Sequence, residues 1–317
     1  MTTDFQKTLA TLLDQNKKLS PQSLHEFSDI DPASLSDLMA AWPRLAPDRK
    51  RLLLEELQAL SESDTLVAFD DLARALLTDK DPQVRAGALR LLDECEDVKL
   101  VPVHLDLLTN DPDPQVRARA ATVLGLFVNL GELEKIPAKT YHQIEDGLLA
   151  KAGSDDGSAV RRSALEALGY SSRAEVTTLI KSAFQREDPD WRVSALLAMG
   201  LSADEAWEEQ VLSRIIDDNP QVQLAAVQSA GLLGLSAARN ILLNLLEDNE
   251  DDEVAAAAIW SLSQIGGEYA RVYLGNLLDL AGDESQIEFL EQALENLAFT
   301  EDSNHFDLLA FDTDPDE

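Results

Sequence analysis

A single segment pattern, repeated six times, constrains this chain more than any other feature, because self-similarity at a fixed period specifies a repeat architecture. The segments are DPQVRAGALRLLD (81–93), DPQVRARAATVLG (113–125), GSAVRRSALEALG (157–169), DPDWRVSALLAMG (188–200), NPQVQLAAVQSAG (219–231) and DDEVAAAAIWSLS (251–263). Their fourth residues are the anchors Val84, Val116, Val160, Trp191, Val222 and Val254, spaced 32, 44, 31, 31 and 32 residues apart. An insertion near Val128–Tyr141 accounts for the long interval, and the expectation there is an exposed loop on one rim.

Each segment reads as a helix packed on both flanks. Asp-Pro or Asn-Pro opens four of them: the polar residue caps free N–H groups, and proline in the first turn forfeits no hydrogen bond. Four residues after every anchor stands alanine: Ala88, Ala120, Ala164, Ala195, Ala226 and Ala258. Eight after it come Leu92, Leu124, Leu168, Met199, Ala230 and Leu262. Anchor, +4 and +8 share one helical face, and alanine at its centre implies close approach by a neighbour. Glycine at +9 (Gly125, Gly169, Gly200, Gly231) predicts a left-handed helix end. Each segment follows another amphipathic stretch, and nothing alternates with period two. One helix pair cannot bury its apolar face alone, whereas stacked pairs form a continuous core. The expected fold is all-α, an α-solenoid of about eight helical pairs with capping helices at both ends.

The unit D-P-x-V-R-x-x-A-x-x-x-L-G resembles HEAT repeats of the short, phycobilisome-lyase-like class, clearly over residues 65–282. That resemblance implies a HEAT/armadillo-type superhelix and leaves function open, since unrelated activities share the scaffold. The domain reading is N-terminal capping helices and a degenerate repeat over 1–64, repeats over 65–282 interrupted near 128–141, a capping helix at 283–299 and an acidic tail at 300–317. In the first helix Phe5, Leu9, Leu12 and Leu13 share a face. In the last, Ile287, Leu290, Leu294 and Leu297 oppose Glu288, Glu291 and Glu295.

Charge narrows the function. The 59 acidic against 26 basic residues leave −33, and residues 193–317 alone carry −23 with only three cations. A nucleic-acid partner is not expected, because displacing phosphate counterions takes Lys and Arg. HEAT-like DNA glycosylases, with basic and aromatic concave surfaces, are disfavoured on the same ground. A single cysteine, no long apolar run and a start (Met1-Thr-Thr-Asp-Phe) without signal-peptide character give the expectation of a cytoplasmic protein and no membrane partner.

No residue is expected to be catalytic, and no metal or cofactor is expected. Arg85, Arg117, Arg161 and Arg192 form a row just after the anchors, read as pairing with Asp81, Asp113 and Asp188 of adjacent units. Histidine is limited to His25, His104, His142 and His305. HEAT-like deoxyhypusine hydroxylase holds two irons with several His-Glu pairs, and this chain has one such pair, His25-Glu26. Zinc needs Cys and His at close spacing, which is missing. Cys95 sits among Asp93, Glu94, Glu96 and Asp97, surroundings that favour the thiol over a reactive thiolate. The acidic run Asp248–Glu253 lacks the alternation and glycine of a calcium loop and reads as a connecting turn. Bilin lyases share the repeat class, but the shared element brings no catalytic residue with it.

The functional lead lies at +2 and +6, which point away from the anchor face and, in such arrays, line the concave surface. This row is small, polar or charged in the first three repeats and then turns apolar: Val193, Leu197, Leu224 and Trp260, with Gln228 among them. An apolar stripe where water is expected marks a binding surface, so the expected partner is a protein or peptide with basic flanks. The leading expectation is a non-enzymatic interaction scaffold, favoured as a monomer. The alternative is an accessory enzyme or chromophore-handling protein of the bilin-lyase type. The tail TEDSNHFDLLAFDTDPDE, with Phe306, Leu308, Leu309 and Phe311, is expected to dock or cap.

Overall fold

The computed structural model describes the backbone of residues 4–248 and 251–310, and side chains over the same range except 4, 248 and 303–310. Among the described residues there is no strand, and no helix is long and apolar enough to cross a membrane. The helices fall into two compact units, Met1–Leu168 and Gly169–Glu317.

The first unit holds α1 (Asp4–Leu13), α2 (Pro21–His25), α3 (Pro32–Ala41), α4 (Pro47–Ser63), α5 (Asp70–Leu76) and α6 (Pro82–Arg90). It continues with α7 (Val101–Asn110), α8 (Pro114–Glu132), α9 (Ala138–Ala152) and α10 (Ser158–Ala167). Here α4, α6, α8 and α10 pack in succession, and α5, α7 and α9 back α6, α8 and α10. At the N-terminal end Phe5, Leu9 and Leu12 are buried, with Phe5 edge-on to Phe27 at 5.6 Å.

In the second unit lie α11 (Ala174–Phe184), α12 (Pro189–Leu201), α13 (Glu208–Leu212), α14 (Pro220–Leu232), α15 (Arg239–Asp248), α16 (Asp252–Ile265), α17 (Glu268–Leu280) and α18 (Glu284–Ala310). The layer α12–α14–α16–α18 is backed helix for helix by α11, α13, α15 and α17. All six anchors and all six +4 alanines are buried, as the shared face requires. Asp81, Asp113, Asp188, Asn219 and Asp251 accept backbone N–H bonds as N-caps of α6, α8, α12, α14 and α16.

The +9 glycines have a different role from the expected one. Gly125, Gly200 and Gly231 lie within helices, and the left-handed glycines among the described residues are Gly234 (φ 62°), Gly266 (φ 71°) and Gly267 (φ 106°). Instead, each +9 glycine faces the +7 residue of the following repeat. A Cβ on Gly169 would lie 2.9 Å from the Ala198 Cα, one on Gly200 3.0 Å from the Ser229 Cα, and one on Gly231 2.7 Å from the Ser261 Cα. At these joints the neighbouring helices meet backbone to backbone. The serines add a bond: Ser229 Oγ donates to Leu196 O and Ser261 Oγ to Val227 O, both at 2.8 Å.

α18, which the sequence fits both as a degraded repeat and as a cap, keeps the same register. Phe289 takes the anchor place, Ala293 and Leu297 are buried at +4 and +8, and Asn296 at +7 donates to Ser263 Oγ at 2.9 Å. Its backbone runs on to Ala310, past Phe299. The expected docking of Phe306, Leu308, Leu309 and Phe311 concerns side chains outside those described.

Only a short turn, 133–137, exposed at Leu133, Glu134 and Lys135, remains of the loop expected at Val128–Tyr141. The extra residues lengthen α8 to Glu132 and start α9 at Ala138, burying Phe127, Val128, Leu130 and Ile136. With such apolar residues most of the segment is better buried in longer helices than exposed in a loop.

Candidate functional site

The arginine row belongs to the frame. At position +1 of five of the six repeats the side chain donates to a carbonyl near the end of the preceding helix, and the sixth has Ala255 there. Arg85 reaches Asp79 O, Arg117 reaches Asp111 O, Arg161 reaches Ala152 O, Arg192 reaches Arg186 O, and Gln223 reaches Ile215 O. These bonds satisfy carbonyls that a helix end leaves without intrahelical partners. The carboxylate partners differ from the expected ones. Arg85 forks onto Asp111 at 2.7 Å and Arg117 onto Asp156 at 2.6 and 2.8 Å, whereas Asp81 is taken by Arg51. Asp113 and Asp188 cap helices. The Arg117 guanidinium holds the Asp156 carboxyl well below the usual carboxylate range.

The remaining chemical candidates are dispersed. Cys95 is buried, and burial, with Asp70 beside it, pushes its thiol up. His25 lies 3.9 Å from Asp64, and His142 contacts Glu145 at 3.1 Å. His104 is fully buried against Phe127, its ring centroid 6.0 Å away, and neither nitrogen has a hydrogen-bond partner. Among the described residues no group of three or more His, Cys, Asp or Glu is arranged to hold a metal ion.

The apolar row occupies consecutive helices of the second unit. Val193 and Leu197 stand one turn apart on α12, Leu224 and Gln228 on α14, and Trp260 on α16. Val193, Leu197 and Leu224 are half-buried, Gln228 is exposed, and Trp260 is 40% exposed while Trp42, Trp191 and Trp207 are buried. Position +10, one turn further along the same face, was not read from the sequence and extends the row. Leu201 is half-buried there on α12, Leu232 is 47% exposed on α14, and Phe299 is 71% exposed on α18. The signal was available in the i, i+4, i+8 spacing, but the repeat pattern ends at +9.

Glu291 and Glu295, at +2 and +6 of α18, are exposed and follow the apolar positions in the layer. Every cation after residue 192 is engaged. Arg214 pairs with Asp217 at 3.0 Å, Arg239 donates to Gly266 O at 2.7 Å, and Arg271 pairs with Glu301. From Val193 onward the second unit therefore presents an apolar strip in a region of net charge −23 whose three arginines are each engaged.

A family model for HEAT repeats matches residues 69–138 and 207–298, just over half the chain. No curated protein matches. Among solved structures, the complex of CpcE and CpcF of phycocyanin lyase from Nostoc sp. PCC7120 is similar at 17% identity and TM-score 0.54, covering 90% of this chain and 97% of that one. Escherichia coli YibA is similar at 17% identity and TM-score 0.45, with 90% and 99% covered. Human deoxyhypusine hydroxylase follows at 16% identity and TM-score 0.35, with 83% and 96% covered. At such identities the likeness is one of fold.

Proposed function

We propose, from the premise that the chain belongs to the HEAT-repeat family, that it is a non-enzymatic scaffold which holds a protein segment on the second unit. The bound segment is amphipathic. Its apolar side chains lie along Val193, Leu197, Leu224, Gln228 and Trp260, and its basic flanks meet the surrounding carboxylates. The observation that carries this reading is the exposed Trp260 at one end of an apolar row in a region of net charge −23. Large aromatics in such settings dominate binding energy, and charge complementarity speeds encounter and selects partners.

The test is recovery of partners from the source cells by wild type and by Leu197→Glu/Leu224→Glu/Trp260→Ser, with circular dichroism confirming that the variant is folded. A protein held only by wild type, and shown to bind purified wild type directly, supports the assignment. Identical partner lists would move the site elsewhere. The fold shared with the CpcE–CpcF complex favours a second reading, chromophore handling. A pigment absorbing in the visible and copurifying with the chain would decide for it.

A further inference from the structure

The first unit contains a feature of opposite sign. A cavity of about 330 Å³ opens between α6, α8 and α10. Small side chains make the room, among them Ala118, Thr122 and Ser163, and two arginines, Arg90 and Arg119, reach it. No carboxylate lines it. Arg119 pairs with Asp93, while its Nε is buried without a partner. The Arg90 guanidinium has no ion pair or hydrogen bond to any described residue. Arg90 also borders a second cavity whose wall carries Glu62, Asp70, Asp93 and Glu94, yet its guanidinium pairs with none of these carboxylates.

Two neighbouring guanidinium groups facing a shared hollow repel each other. Burial, and after it the charge on Arg90, pushes Arg119 down to about 10. In a chain with 59 carboxylates, an arginine left without one at such a place is conspicuous. The arrangement loses its repulsion when an anion enters, and the planar forks of Arg suit an oxyanion with two or more acceptors. We propose that this cavity binds a single oxyanion, a phosphate or carboxylate carried on a protein segment, between Arg90 and Arg119. It is separate from the apolar row and does not depend on the reading of that row.

The experiment is titration of the full chain, followed through arginine Nε–Hε NMR signals. The probes are inorganic phosphate, a blocked phosphoserine tripeptide and a blocked aspartate tripeptide, with sodium chloride at matched ionic strength as control. The expected result is saturable movement of the Arg90 and Arg119 signals, at least tenfold weaker in Arg90→Gln and weakened in Ala118→Leu, which narrows the cavity but keeps both arginines. Tighter binding of the phosphoserine peptide identifies phosphate as the natural group, and equal or tighter binding of the aspartate peptide identifies carboxylate. Non-saturating shifts, shifts reproduced by chloride, or shifts unchanged in both variants overturn the proposal.

Discussion

His104 makes the chain sensitive to mild acid through one buried ring. The imidazole is fully enclosed between α7 and α8, and burial pushes it down from 6.5 to about 4. Protonating it in place costs about 3 kcal/mol at 1.36 kcal/mol per pH unit. Between pH 6.5 and 4 the unfolded chain holds a proton here that the folded chain lacks. Stability is therefore lost as pH falls below 6.5, and this loss levels off below about pH 4. At pH 5 the loss relative to pH 7.5 is about 2 kcal/mol. His104→Leu, close in volume, removes this dependence and also removes two buried nitrogens without partners, a gain of about 1–3 kcal/mol at neutral pH. Repeat arrays unfold in parts, so the assay is amide hydrogen exchange within α7 and α8 at pH 7.5 and 5 in both proteins. The wild type should lose about thirtyfold more protection than the variant over that interval, about 2 kcal/mol at 1.4 kcal/mol per decade. Equal losses, or a His104 ring signal titrating near 6.5 in the folded protein, would refute the reasoning.

Two glycine-to-alanine changes should act in opposite directions under urea. Gly231→Ala drives a methyl to 2.7 Å from the Ser261 backbone and should cost about 1–3 kcal/mol. Gly275→Ala, within α17 with open space around it, should gain about 1 kcal/mol. Asp111→Ala leaves Arg85, 8% exposed, without its fork partner, and should destabilise the first unit by about 3–5 kcal/mol, read as a lowered melting temperature. Trp260, the exposed tryptophan, should dominate quenching by acrylamide, and a bound amphipathic peptide should shield it. Unchanged quenching at saturating peptide would remove the apolar row from the binding site.

The frame was legible because burial dictates it. Valine, alanine and leucine at 0, +4 and +8 are a direct imprint of a helix packed on both sides, and those positions are buried. The +9 glycines show where that imprint becomes ambiguous. A glycine after the last apolar residue is equally the mark of a left-handed cap and of a close backbone approach, and only the neighbour's position separates them. The partners of Arg85 and Arg117 were misjudged for a similar reason. Asp111 and Asp156 stand outside the repeated segment, while the aspartates inside it are already committed to capping. α18 lacks the Asp-Pro opening and uses phenylalanine as its anchor, so its membership shows only through Ala293, Leu297 and Asn296. Of the candidate site, the apolar row could be read from helical phase. The arginine pair could not, since Arg90 and Arg119 occupy different repeat positions and meet only through the packing of α6 against α8.

The backbone joints of the second unit also bear on how such a chain changes length. Gly169, Gly200 and Gly231 look forward to the next repeat, and Arg192 and Gln223 look back to a carbonyl of their own repeat. Removing residues 201–231 would bring Gly200 opposite Ser261 instead of Ser229, glycine against serine as before, and would take Gln223 away together with its acceptor Ile215. Loss or duplication of a whole period thus rejoins like with like. Evolution can shorten or extend the apolar row a helix at a time, matching it to the span of the segment proposed to lie there without inventing a new interface.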